Sequence, residues 1–275
     1  MNMSEKGQCS AMIYDYHTHT CFSEDSEAPV DEMIRGAIDM GIAHLAITDH
    51  YDPDYPDPEF EFLPDFPAYH DMLLSKQKEY ADKIRIVKGI EIGLQEGSTL
   101  DKCREEAAAF PYDFIIGSFH CFCGYDLYKA DYNSMEEKQV LPDFYTCMYN
   151  CLSEYKDYDV VGHFNVIDRY VPFELDYSGC MDICKEVMKI IVQDGKGIEI
   201  NTSSFRYGMG ERTHAASEFL KMYREMGGEI VTIGSDAHKK KDLGHEFERA
   251  AQILRDHGFR YLATFTERKP EMIKL

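Results

Sequence analysis

Short apolar runs alternate with amphipathic stretches along nearly the whole chain. Seven runs of strand length recur, at 12–16, 44–48 (HLAIT), 84–90 (IRIVKGI), 113–119 (DFIIGSF), 159–163 (DVVGH), 197–201 (GIEIN) and 229–235 (EIVTIGS). They are almost wholly apolar rather than alternating, as expected of parallel strands covered by helices. Between them the spacing of apolar residues predicts helices. The first follows Pro29 through Met33, Ile34, Ala37 and Ile38 and stops at Gly41. Others are predicted over 68–81, 100–109, 142–155, 180–194, 215–226 and 247–257, with a short closing run, YLATF, at 261–265. No repeat, low-complexity tract or linker divides the 275 residues, so one α/β domain over 1–275 is expected.

Periodicity alone does not separate a closed barrel from an open doubly wound sheet. The polar residues do. Six of the runs lead into metal-type side chains: His17 and His19; Asp49 and His50; Glu91; His120; His163; and Asp236 with His238. The ends of so many strands converge only if the strands surround a common point, which predicts a barrel with a metal cluster on its C-terminal rim. His17 and His19, two apart on a strand, share one face and can chelate one ion, and Asp236 and His238 repeat that spacing. Glu91 sits in KGIEIGL, where a carboxylate is costly to bury unless paired or metal-bound, and it can bridge two ions. His44, His70, His214, His245 and His257 fall outside this pattern; His214 and His245 lie nearest the expected rim.

Composition narrows the partners. Fifty acidic residues against 29 basic ones give a formal charge of −21, and the longest basic run is Lys239-Lys240-Lys241. That field repels a nucleic-acid polymer and suits divalent metals and a cationic small molecule. No apolar run reaches the roughly 20 residues that span a bilayer, so no membrane partner is expected. MNMSEKGQCS lacks the apolar core of a signal peptide, which predicts a cytoplasmic protein. Nine cysteines without a CxxC pair read as reduced thiols, Cys121 and Cys123 as loop packing beside His120. Oligomeric state is not readable. Two loops stand out on the rim: 51–67, rich in Pro, acid and aromatics and placed to act as a lid, and 121–141, with Tyr125, Asp126, Tyr128, Asp131 and Tyr132.

In order and spacing, YDYHTHTCFSEDS, AITDH, KGIEIG, IGSFH, VGHFNVIDRY, INTSSFR and IGSDAH resemble the polymerase and histidinol phosphatase (PHP) superfamily, and more narrowly its histidinol-phosphatase members. The resemblance implies a distorted TIM-like (β/α)7 barrel holding three divalent metal ions. Carried over by position, His17, His19, Glu91 and Asp236 would bind the first. Glu91 would bridge to a second held by His120 and His163, and Asp25, His50 and His238 would hold the third. Glu24 competes with Asp25 for that role, and Asp49 would orient a ligand. Arg169 and Arg206 match phosphate-binding arginines, whose guanidinium forks suit phosphate oxygens. Zn, Fe and Mn all suit such a mixed ligand set.

The implied reaction is hydrolysis of a small phosphate monoester, L-histidinol phosphate, in histidine biosynthesis. Metals would lower the pKa of a shared water for in-line attack on phosphorus, with Asp236 or His238 guiding protons to the leaving oxygen. Asp52, Asp54 and Asp57 are expected to favour the substrate's amine. The chain departs from the branch in YGMGERTHAASEFL after Arg206, in CFCGYDLYKADY after His120, and in having no Trp. Both stretches bear on the alcohol part of the substrate. A PHP-type phosphoesterase acting on nucleotides or other small esters is the alternative. A non-enzymatic metal-binding module and an amidohydrolase-type barrel are the other classes; the intact ligand set counts against the first, and Glu91 in place of a lysine against the second.

Overall fold

The computed structural model describes residues 13–60, 62–173, 175–209 and 216–275. Met12, expected to open the first strand, lies outside the described residues, as do Ala215 and His214. Seven parallel strands form the body: β1 (Ile13–Asp15), β2 (Ile42–Ile47) with its short continuation β3 (His50–Tyr51), β4 (Arg85–Gly93), β5 (Phe114–Ser118), then β8 (Val160–Val161), β9 (Gly197–Asn201) and β10 (Val231–Gly234). Their spatial order is their chain order, with β3 paired to β4. Backbone hydrogen bonds close the ring: Tyr16 N to Ile233 O at 3.0 Å, Asp236 N to His17 O at 2.8 Å and His19 N to Ala237 O at 3.0 Å. This is a nearly closed, distorted TIM-like (β/α)7 barrel.

Helices α1 (Val30–Asp39), α2 (Phe66–Glu79), α3 (Thr99–Ala109), α4 (Glu137–Glu154), α5 (Met181–Gln193), the single turn α6 (Ser203–Arg206), α7 (Ala216–Glu225) and α8 (Phe247–Asp256) complete the units. Pro29 occupies the cap of α1, and Gly41, at φ +75°, follows its last turn in the left-handed region that glycine tolerates. Asp65 caps α2 by accepting from Ala68 N. Helix α4 begins five residues before Pro142, where the sequence places its start. Pro142 is the sixth residue of the helix, past the first turn, and cannot donate the hydrogen bond that would reach the Lys138 carbonyl.

The core fills the barrel and the space beneath its helices, with Leu45, Ile47, Val87, Ile90, Phe114, Ile116, Val161 and Ile198 all buried. YLATF is not an isolated run. It forms β11 (Tyr261–Thr266), paired antiparallel with β12 (Lys269–Lys274), a strand that KPEMIK does not announce by its pattern. This hairpin lies at the end of the barrel opposite the histidines. Phe265 N donates to Tyr16 Oη at 2.9 Å, and Arg268 Nε donates to Asp159 at 2.5 Å. The other rim is therefore left for chemistry.

Candidate metal centre and its cavity

Glu91 is the hub. It lies within β4 rather than at its end, fully buried, opposite His50 of β3. The carboxylate divides its oxygens between two groups of histidines. Oε2 faces His17 Nε2 at 3.2 Å, His19 Nε2 at 3.5 Å and His50 Nδ1 at 2.9 Å. Oε1 faces His163 Nε2 at 3.0 Å and His120 Nε2 at 3.3 Å, and accepts from Ser118 Oγ at 2.6 Å. Asp236 Oδ1 lies 3.4 Å from His19 Nε2 and 3.8 Å from His17 Nε2, completing a group of four around one point. Asp25 Oδ2 stands 3.1 Å from His238 Nε2 and 3.6 Å from His50 Nε2. Asp25, rather than Glu24, is thus the carboxylate whose oxygen reaches these two histidines. His19 stacks between His50 and His238 at centroid distances of 4.2 and 4.1 Å.

The donor set fits metal ions. Buried His17 Nε2, His19 Nε2, His50 Nδ1, Glu91 Oε2 and His238 Nε2 have no hydrogen-bond partner among the described residues, yet they point at one another. Burying so many unsatisfied acceptors is costly unless a cation joins them. The electrostatics agree. Burial opposes the charge on His17, but Glu199, Glu91 and Asp236 hold its pKa well above the usual imidazole value. Burial opposes ionisation of Glu91, but His17, His50 and His120 hold its pKa well below the usual carboxylate value. The carboxylates demand positive charge at the centre.

A further layer fixes the rings. His17 Nδ1 donates to Glu199 Oε1 at 2.7 Å, which leaves Nε2 bare toward the cluster. His120 Nδ1 donates to Asp52 Oδ1 at 2.7 Å. His19 Nδ1 donates to Ser23 Oγ at 3.0 Å, and Ser23 in turn donates to Asp49, so Asp49 acts on a ligand through one hydroxyl. His238 Nδ1 donates to the Asp236 carbonyl at 3.1 Å. Glu199 is the residue that reading the sequence missed. Its signal was there, since GIEIN buries a carboxylate among apolar neighbours just as KGIEIGL does.

Other rim side chains already have partners. Arg206 does not line the cavity. Its Nη1 and Nη2 donate to the carbonyls of Ser235 and Asp236 at 2.8 and 2.9 Å, bracing a backbone in which Asp236 adopts φ +53°. Asp52, Asp54 and Asp57 are likewise engaged elsewhere: Asp52 is buried on His120, Asp54 pairs with Lys102 at 2.5 Å and Thr99, and Asp57 pairs with Lys129. His245 does not line the cavity, Cys121 and Cys123 join no metal-type group among the described residues, and Cys123 Sγ instead lies 3.4 Å from Cys147 Sγ.

Above the cluster opens a cavity of about 290 Å³. Arg169 lines it, its side chain largely buried, with Nη2 on Ser203 Oγ at 2.6 Å and Asn201 Oδ1 at 3.1 Å, Nη1 3.4 Å from Asp236, and Nε without a partner among the described residues. The far walls come from the two rim loops. Loop 52–62 supplies Tyr55, Phe60 and Phe62, and the loop after β5 supplies Asp126 and Tyr128 through the small hairpin β6 (Cys121–Phe122) and β7 (Tyr125–Asp126).

A parallel barrel with a carboxylate-bridged histidine cluster and an arginine at its mouth is a hydrolase-type metal site. The PHP domain family model matches residues 15–203. A probable histidinol-phosphatase of Clostridium acetobutylicum is 33% identical over 249 residues, covering 88% of this chain and 92% of that one. The histidinol-phosphatase of Lactococcus lactis is 27% identical over 262 residues, covering 93% and 95%. The crystal structure of the Lactococcus lactis histidinol phosphate phosphatase, complexed with zinc, L-histidinol and phosphate, superposes with a TM-score of 0.86 at 25% identity, over 94% of this chain and 98% of that one. The chain belongs to the PHP family, in its histidinol-phosphatase branch. Among the described residues no helix is long and apolar enough to cross a membrane.

Proposed function

We propose that this chain is a metal-dependent phosphate monoester hydrolase that converts L-histidinol phosphate and water to L-histidinol and phosphate in the cytoplasm. One observation carries the reading: the unsatisfied buried ligand atoms of His17, His19, His50 and His238 gather with Glu91 Oε2 beneath a cavity that holds Arg169. The histidinol-phosphatase relatives support the substrate. Three divalent ions fit the three groups: His17, His19, Glu91 and Asp236; Glu91, His120 and His163; Asp25, His50 and His238. Bound there, such ions lower the pKa of water and polarise phosphoryl oxygens.

The chain's own residues do the rest. Arg169, held by Ser203 and Asn201 at the cavity wall, would meet the phosphoryl oxygens with little reorganisation. Glu199 and Asp52 keep the imidazole protons on the outer nitrogens of His17 and His120. Asp236 or His238, both lining the cavity, delivers a proton to the leaving oxygen. Aromatic rings of loop 52–62 shield the reacting centre from bulk water. Phosphate release from a panel of L-histidinol phosphate, mononucleotides and sugar phosphates tests the substrate. Preference for histidinol phosphate supports the reading; activity on nucleotides alone would replace it with the broader phosphoesterase.

A further inference from the structure

Four carboxylates line the cavity: Asp25, Asp52, Asp126 and Asp236. Three of them face histidines of the cluster, Asp25 toward His50 and His238, Asp52 toward His120, and Asp236 toward His17 and His19. Asp126 does not. It ends β7, nine-tenths buried, and one oxygen accepts from Tyr128 N at 2.7 Å in a local turn. Its other neighbour is the Tyr55 hydroxyl, a neutral donor from the opposite loop, whose pKa is raised first by burial and further by its hydrogen bond to the Asp126 carboxylate. A buried carboxylate that meets only neutral donors is poorly compensated and attracts a cation.

The surroundings suit an organic cation. Tyr128 lies edge-on to Tyr170 at 6.0 Å, and Tyr55 packs on Phe62 at 4.9 Å, so ring faces and edges border the same cavity. Aromatic walls favour ammonium and imidazolium groups over small, strongly hydrated metal ions. The loops are also tied across the mouth by Lys129, which pairs with Asp57 and sits 4.6 Å over Phe60. That lysine is spent on the opposite loop, so it leaves the charge of Asp126 uncompensated.

We propose that Asp126, with Tyr55 and Tyr128, forms the subsite that binds the ammonium group of the substrate's alcohol half, and so selects amine-bearing phosphate esters. The subsite rests on the phosphatase reading above, and deepens it. It also relocates the amine contact from loop 52–57, whose acids are all paired, to the hairpin after His120.

The test is Asp126→Asn in the metal-replete protein. Asparagine keeps an acceptor for Tyr128 N and removes only the charge. Two readouts are compared with wild type: the ratio of kcat/KM for L-histidinol phosphate over its des-amino analogue, and calorimetric affinity for L-histidinol against the des-amino alcohol. The wild type should favour the amine in both. The variant should lose that preference, with L-histidinol binding weakened by roughly 10- to 100-fold, the range for losing a charged hydrogen bond. Asp54→Asn, on the lid but paired with Lys102, should keep it. A preference that survives in Asp126→Asn, an equal loss for both ligands of each pair, or a wild type indifferent to the amine would overturn the subsite. A wild type that binds L-histidinol through Asp126 yet releases no phosphate from histidinol phosphate would instead refute the functional reading and leave the subsite standing.

Discussion

Replacing Glu199 with glutamine changes one atom and removes one charge, and its consequences can be worked through bond by bond. The carboxylate accepts from His17 Nδ1 at 2.7 Å through Oε1, and from His163 N at 2.8 Å and Asn201 Nδ2 at 3.1 Å through Oε2. A glutamine amide has one acceptor oxygen and one donor nitrogen. If the oxygen stays on His17, the new NH2 meets the His163 amide and Asn201, donor against donor. If the amide turns over, His17 Nδ1 must accept, and its proton moves to Nε2, the atom that faces Glu91. Either outcome leaves a buried donor unmet, worth roughly 1–3 kcal/mol of stability. The second also removes a metal ligand. Substitutions in this layer cost roughly 10- to 100-fold in metal affinity or activity. Metal affinity by chelator competition, thermal unfolding and kcat/KM should therefore fall together in Glu199→Gln. A folded variant with wild-type metal affinity and activity would refute the role given to Glu199.

Other substitutions probe the same layer and the wider fold. Gly234→Ala would place a Cβ 2.1 Å from Glu199 Oε1 and 2.4 Å from His17 Cβ, so the expected result, read by metal content and activity, is displacement of both side chains and loss of bound metal. Asp52→Asn should lower kcat/KM roughly 10- to 100-fold by loosening His120, with little change in kcat/KM if the orientation of that ring does not matter. His44 titrates far from the cluster: burial and Arg85 push its pKa down to about 4 from 6.5. Below pH 6.5 the unfolded chain binds the proton more readily, so stability from this group is full above pH 6.5 and is lost as pH falls toward 4. Urea unfolding across that window should show a smaller pH dependence in His44→Gln than in wild type, and equal slopes would remove the assignment.

Most of the frame, and the convergence of the candidate ligands, were legible because strand ends in a parallel barrel carry a simple code. A polar residue that follows an apolar run points to the rim; GIEIN delivered its strand residue for residue, and EIVTIGS enclosed the shorter β10. What the pattern could not carry was the direction of long side chains. Arg206 stands on the rim as its position implies, but its fork turns back to the main chain of Ser235 and Asp236. Asp52 sits in a loop full of acids, and nothing local marks it as the one that folds under to hold His120. Gly93 makes room for it, since a Cβ there would fall 1.8 Å from Asp52 Oδ1. The β12 strand escaped notice because KPEMIK is largely exposed and lacks apolar alternation. The hairpin of Cys121–Phe122 with Tyr125–Asp126 was hidden by its length, two residues a side.

The central claim is that the cluster around Glu91 is a metal centre that hydrolyses a phosphate ester. The measurement that tests it most directly is phosphate release from L-histidinol phosphate by the purified protein as isolated, after exhaustive chelation, and after return of Zn, Fe or Mn, with metal stoichiometry followed in parallel. The account predicts activity that vanishes with the metal and returns with it, and a Glu91→Gln protein that folds but recovers neither. Turnover undiminished by chelation, or a Glu91→Gln protein as active as wild type, would contradict it.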